Sequence, residues 1–158
     1  MTALEPPRPL TKTDSLADFH SGVDLVDAWA HERASRAQKT GTAVVYIVKS
    51  GEKIAGFYSL SAHSVQRDDV AGGWLKCNAP EHIPAILLGM LGVDASFQGL
   101  GLGKSLLKDT IERSLAASAQ IGARALLVDP VDREVAEFYK RYGFRELVET
   151  TRLALPLT

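Results

Sequence analysis

The chain has 158 residues, enough for one domain with a single core, and its 46% hydrophobic and 23% charged residues are ordinary for a globular protein. Its 18 basic and 19 acidic side chains leave a formal net charge of −1, which gives no global reason to expect a nucleic-acid or membrane binder and leaves only local patches for such a role. A single cysteine, Cys77, excludes an intrachain disulfide and a CxxC-type metal site. No apolar run reaches the roughly 18 residues of a membrane span, and "MTALEPPRPL" lacks a signal-like apolar region, so the chain reads as cytoplasmic with no membrane partner.

Residues 1–9 carry three of the seven prolines and predict an irregular lead-in to a single domain over 1–158, with 1–13 partly irregular. "LVDAWAHERASRAQKTG" predicts a helix closed by Gly41, with Leu25, Trp29 and Ala30 inward and Arg33, Arg36 and Lys39 on the outer face. "TAVVYIVKS" and "KIAGFYSLSAHSV", split by "SGE", read as a β-hairpin. "QRDDVAGGWLKCNAPEH" reads as a long loop. "IPAILLGMLGVD" is apolar at nearly every position, as in a strand buried on both faces, and Gly89 and Gly92 within it mark a bulge or a close backbone approach. A helix follows from about Leu102 to Ala119 with Leu107, Ile111 and Leu115 as its apolar stripe. "RALLVD" reads as a further buried strand, "VDREVAEFYKRYGF" as a short helix closed by Gly143 with Val135, Phe138 and Tyr142 inward, and "RELVETTRLALPL" as two strand fragments. This alternation fits an α/β or α+β sandwich with both sheet faces covered.

The chemistry concentrates in "SFQGLGLGKS", where a buried strand ends in a glycine turn and a helix begins. Gly99, Gly101 and Gly103 free the backbone, the first N–H groups of a helix lack internal partners, and Lys104 adds a charge, so the segment is built for an anion. The Walker pattern requires glycine where Gln98 stands, and the dinucleotide pattern GxGxxG fails because Gly103 comes one position early. The register of Gln98, Gly101 and Gly103 instead matches [Gln/Arg]-x-x-Gly-x-[Gly/Ala]. That is the pyrophosphate motif of the GNAT superfamily of acetyl-CoA-dependent N-acetyltransferases, which the stretch resembles. "EVAEFYKRYGF" resembles the superfamily's last-helix signature through Phe138, Tyr139, Gly143 and Phe144.

Over roughly residues 14–157 the chain is more narrowly similar to the GNAT toxins of bacterial toxin–antitoxin pairs. The Gly22–Asp27–Trp29 block and the "GFYSL" strand carry that likeness. The resemblance implies a mixed, mostly antiparallel central sheet with a splayed strand pair and helices on both faces. It implies acetyl-CoA as cofactor, its pyrophosphate on Gln98, Gly99, Leu100, Gly101, Leu102, Gly103 and Lys104 and its pantetheine arm along Leu91 and Val93. It implies Tyr139 as the acid that protonates the departing thiolate, whereas packing alone assigns Phe138 and Phe144 to the core. The implied acceptor is the α-amine of aminoacyl-tRNA, and the implied partners are a second copy in a homodimer and a ribbon-helix-helix antitoxin. Met90 stands where these toxins carry an arginine in the strand. Arg33, Arg36 and Lys39, with Arg67 and Lys76 in the loop, are the local candidates for RNA contact, against the alternative of a merely solvated face. His63 and Asp129 lie where they could line the acceptor side or serve structure alone, and Cys77 lacks the paired histidine of a nucleophile. Two other readings remain open from the residues: the same chemistry on a small amine or a protein N-terminus, and a non-catalytic acyl-CoA-binding module. No metal site is expected.

Overall fold

The computed structural model describes residues 3–70, 73–76, 78–148 and 150–157. They fall into two compact units. The first is the chain up to Ser61 with Gly89–Thr110, and the second is Ala62–Leu88 with the chain from Ile111 onward.

The first unit opens with β1 (Arg8–Pro9), antiparallel to β2 (Val44–Ser50). The lead-in is therefore more regular than its prolines suggest. Glu5 N and Leu10 N donate to Lys49 O and Val45 O at 2.8 and 2.7 Å, and an edge position tolerates the missing proline donors. Arg8 donates two hydrogen bonds to Asp14, at 2.8 and 3.0 Å, which holds the segment that follows. The expected single helix is two: α1 (Asp24–Glu32) and α2 (Ala34–Thr40), broken at Arg33 and closed by Gly41 at φ +78°. Their inner face is Val26, Ala30 and Ala34, and Leu25 is exposed, contrary to its expected place. The small alanines at i+4 and i+8 let the helices sit close to the sheet, where Phe57 stacks on Trp29 (6.0 Å, 4°) and meets Phe19 edge-on (5.0 Å). β2 and β3 (Lys53–Gln66) form the expected hairpin. Gly92, near the end of β4 (His82–Val93), is the predicted close approach: a Cβ there would lie 2.7 Å from Val26 Cγ1.

In the second unit the first half of β4 runs parallel to β5 (Ala125–Val128), from Ala85↔Ala125 to Leu88↔Val128. The pairing stops there, as expected of the splayed pair that the resemblance implies. β5 pairs antiparallel with β7 (Leu153–Pro156), and β7 with β6 (Arg145–Glu146). The order of strand neighbours is β1-β2-β3-β4-β5-β7-β6. The expected long loop holds a 3-10 turn at Arg67–Asp69 and a short helix, α3 (Gly73–Lys76). Leu75 in α3 is buried, and its carbonyl accepts from Arg124 at 3.0 Å. Helix α4 (Leu102–Ile121), whose residues up to Thr110 belong to the first unit, begins where expected, but Leu115 is exposed. Its buried residues are Leu102, Leu106, Leu107, Thr110 and Ser114, so Leu107 lies inward as expected and Ile111 is half-buried. Thr110 can lie among them because its hydroxyl bonds back to Leu106 O at 2.8 Å. Helix α5 (Arg133–Lys140) is capped by Asp132, whose carboxylate accepts from Val135 N at 2.8 Å.

Candidate functional site

The glycine turn belongs to the first unit. Asp94, at the end of β4, caps a 3-10 turn at Ala95–Phe97 by accepting from Ser96 N (3.1 Å) and Ser96 Oγ (2.5 Å). Its other oxygen accepts from His20 N at 3.0 Å, and Lys53 Nζ stands 3.5 Å away while donating to Ser96 Oγ at 2.8 Å. Burial opposes the charge on Asp94, but the hydrogen bonds from Ser96 and His20 and the Lys53 ammonium outweigh it and hold the carboxyl below its ordinary pKa. Asp27 repeats the device. Burial again opposes its charge, and three donors (Ser21 N at 2.8 Å, Ser21 Oγ at 2.7 Å, Gly22 N at 3.1 Å) together with His20 win. The Gly22–Asp27 part of the sequence block is thus a carboxylate-stitched loop.

Gln98 joins the two. Its amide nitrogen donates to Ser21 O at 2.7 Å and to Val93 O at 2.9 Å. Its side chain therefore pins the turn between the loop and the strand, and the Val93 carbonyl already holds one bond. Beyond it Gly99 and Gly101 adopt φ +79° and +81°, and nothing lies within 4 Å of where their Cβ atoms would be. The first helical bond of α4 runs from Ser105 N to Gly101 O at 3.1 Å, so the N–H groups of Leu102, Gly103 and Lys104 precede the helical ladder. Leu102 contributes only its N–H, because its side chain is buried, whereas Lys104 is exposed beside the turn. Open backbone, unpaired donors at a positive helix end and one lysine fit a diphosphate. Leu91 and Val93 are half-buried on the adjoining strand. Met90 packs against the first unit's core, with its N–H donating to Ser59 Oγ at 3.0 Å, and offers no charge.

In the second unit Tyr139 turns inward, where sequence had given the inner face of α5 to Phe138 and Tyr142. Tyr139 is buried and Phe144 is in the core, while Phe138 is half-buried and Tyr142 exposed. The reason is a ring stack: Tyr139 meets both Phe138 and Phe144 edge-on at 5.3 Å, and Tyr142 only covers Phe138. Burial pushes the Tyr139 phenol well above the ordinary tyrosine value. It is a neutral donor at any physiological pH, suited to act as an acid and unsuited to act as a base.

A third group was only half visible in the sequence. Arg152, just before β7, donates to both oxygens of Asp129 (2.7 and 2.9 Å) and to His63 Nε2 (2.9 Å). His63 and Asp129 were candidates; the arginine that joins them, far from both in sequence, gave no signal. Arg33, Arg36 and Lys39 are exposed, as is Arg67, while Lys76 is half-buried. Cys77 lies outside the described residues. Among the described residues there is no cluster of three metal-ligating side chains, and no helix is long and apolar enough to cross a membrane.

Compared with known proteins, residues 41–146 match the model of the acetyltransferase (GNAT) domain. The chain is 35% identical to a tRNA-acetylating toxin of Mycobacterium tuberculosis, over 99% of this chain and 93% of that protein. It is 30% identical to a probable TacT toxin of Sinorhizobium fredii, over 89% of this chain and 84% of that one. Among solved structures, AtaT complexed with acetyl-methionyl-tRNAfMet has the same fold (TM-score 0.88, 24% identity, 98% of this chain and 95% of that one). So does a tyrosine-to-phenylalanine mutant of AtaT bound to the C-terminus of the antitoxin AtaR (TM-score 0.82, 23% identity, 98% and 92%).

Proposed function

The chain belongs to the GNAT acetyltransferase family, and we propose that it is the toxin-type member that uses acetyl-CoA to acetylate the α-amine of aminoacyl-tRNA and so blocks translation. The observation that carries this reading is the identity with the tRNA-acetylating toxin, which runs through nearly the whole of both chains. The glycine turn supports the donor half, since its open backbone and exposed Lys104 suit the pyrophosphate of coenzyme A.

Acetyl-CoA supplies the acetyl group as a thioester, whose sulfur leaves with the bonding electrons as the amine nitrogen takes the carbonyl carbon. The backbone donors of Gly99, Leu100, Gly101, Leu102, Gly103 and Lys104 hold the diphosphate, Gln98 fixes the turn's position, and Leu91 and Val93 flank the pantetheine arm. Tyr139 holds its proton at Oη and presents it to the departing sulfur. Because burial keeps that proton on the phenol more firmly than a thiol with pKa near 8.5 keeps its own, the donation acts first as a hydrogen bond to developing charge. The acceptor α-amine, with a pKa near 8, is partly neutral at pH 7 and attacks without a strong base. The nitrogen, positively charged after attack, gives its proton to water, and Tyr139 regains a proton from water after donating its own to sulfur. Positioning therefore supplies much of the acceleration. In this reading residues 1–158 work as one catalytic domain in the cytoplasm, as a homodimer, neutralised by a ribbon-helix-helix antitoxin. A neighbour of the same fold, AtaT, binds an antitoxin's C-terminus, which supports an antitoxin partner.

The test is incubation of the protein with acetyl-CoA and a mixture of charged tRNAs, followed by mass spectrometry of the aminoacyl ends. N-acetylaminoacyl products are expected. Their absence at high enzyme, alongside acetylation of free small amines, would overturn the tRNA acceptor and keep the acetyl transfer.

A further inference from the structure

The second unit contains a cavity of about 410 Å³ for which the mechanism above has no use. Its wall comes from the end of β3, the turn after it, the residue following β5, and the connection from β6 to β7. Arg152 lines this cavity and is clamped from two sides: Nε and Nη2 donate to Asp129, and Nη1 donates to His63. A guanidinium carries five N–H bonds. These three bonds leave one donor on each terminal nitrogen, and the side chain remains 26% exposed. Because the carboxylate fork already fixes its plane, the free donors are pre-aimed and little further ordering is needed to use them. His63 accepts from Arg152 through Nε2, which commits that lone pair and makes the imidazole a positioning group for the guanidinium.

The placement gives this clamp its meaning. Val128 ends β5 and pairs with Leu88 of β4 on one side and Leu153 of β7 on the other. Asp129 follows Val128 and Arg152 precedes Leu153, so the clamp sits where the parallel β4–β5 pairing ends. In open α/β sheets ligands bind beyond the carboxyl ends of parallel strands, and Asp129 lies just beyond the carboxyl end of β5. Asp68 and Asp69 line the same cavity.

We propose that Arg152, held by Asp129 and His63, is the specificity residue that reads the aminoacyl end of the acceptor by donating to its ester carbonyl oxygen. This rests on the aminoacyl-tRNA reading given above. An α-aminoacyl ester sets a hydrogen-bond acceptor and an amine on adjacent carbons, and the cavity sets a forked donor beside carboxylates.

The experiment compares wild type, R152Q and R152K for binding to tRNAs charged with single amino acids and to the same tRNAs uncharged, without acetyl-CoA, and for KM of both substrates. Wild type is expected to prefer charged tRNA. R152Q is expected to lose about tenfold of that preference, the worth of one charge-assisted hydrogen bond, with the KM for acetyl-CoA unchanged. R152K, which keeps the cation but not the fork, is expected to recover part of it. A folded R152Q with the wild-type preference for charged tRNA overturns the proposal. Should R152Q not fold, R152K and H63Q are judged by the same criterion. A wild type that acetylates no charged tRNA overturns the functional reading instead.

Discussion

At Tyr139 the packing that holds the ring also sets how firmly the phenol keeps the proton it is proposed to donate. The edge-on contacts with Phe138 and Phe144 exclude water from the phenol, and that exclusion pushes its ionisation upward. Tyr139→Phe keeps those contacts and removes only the donor, so kcat should fall about 10²–10³-fold, the usual worth of one positioned acid, while the KM for acetyl-CoA holds. A fall of less than about twofold would remove Tyr139 from the chemistry. The pH profile follows from the sign of the shift. In the proposed role the active form is the protonated phenol, and its folded pKa lies above the ordinary value, so no alkaline loss is expected up to about pH 10. Activity should instead rise through the acceptor amine's pKa near 8 and then level off. Initial rates corrected for spontaneous ester hydrolysis check this, and a descending limb near pH 9 would mean that some other acid is at work.

Among the elements, the turn and its braces separate binding from stability. Gly101 sits at φ +81° with open space around its Cα, so Gly101→Ala meets no clash and costs backbone strain of about 1–2 kcal/mol. It also sets a methyl group where the diphosphate is proposed to lie. The expected result is a KM for acetyl-CoA raised about tenfold with a nearly unchanged kcat for charged tRNA. Asp94 acts one step back. Asp94→Asn keeps the size but removes the charge facing Lys53 and weakens the bonds from Ser96 and His20. A loss of about 1–3 kcal/mol is expected in urea or thermal unfolding. Because the folded-state pKa of Asp94 is lowered, the wild type holds this stability above the ordinary carboxylate value near 4 and loses it as pH falls further. The variant should show a shallower acid limb, and parallel limbs would mean that Asp94 is not ionised in the fold. The strand runs, the Gly41 and Gly143 helix ends and the glycine turn were legible because their signals are local. Asp94 to His20 and Gln98 to Ser21 join residues 74 and 77 apart. Such bonds exist only after folding, so Asp94 passed as the polar end of a strand. Polar side chains on buried faces misled the period count too. Thr110 and Ser114 concealed part of the inner face of α4, of which Leu107 was legible, and Leu115 supplied a false end to it.

For the molecule as a whole, a net charge of −1 has to be reconciled with the polyanionic acceptor proposed for it. A protein can bind RNA without net positive charge if a few cations are grouped on one surface, because each phosphate it neutralises releases condensed counterions whatever the total charge. Arg33, Arg36 and Lys39 qualify. They are exposed and lie within seven positions of one another, around the break between α1 and α2, and no ion pair ties them down among the described residues. That break puts Arg33 between two short helices rather than on the flank of one long helix, a difference the sequence pattern did not show. Replacing all three with alanine should weaken binding to charged and uncharged tRNA alike, since phosphates carry no information about the aminoacyl end. If each side chain meets one phosphate, the slope of log affinity against log salt should become shallower by about two to three units, at roughly 0.7–0.9 per contact. Filter binding or anisotropy across a salt series measures this directly. An unchanged slope would assign the patch to solvent. A loss confined to charged tRNA would place these cations at the aminoacyl end, in competition with the role proposed for Arg152.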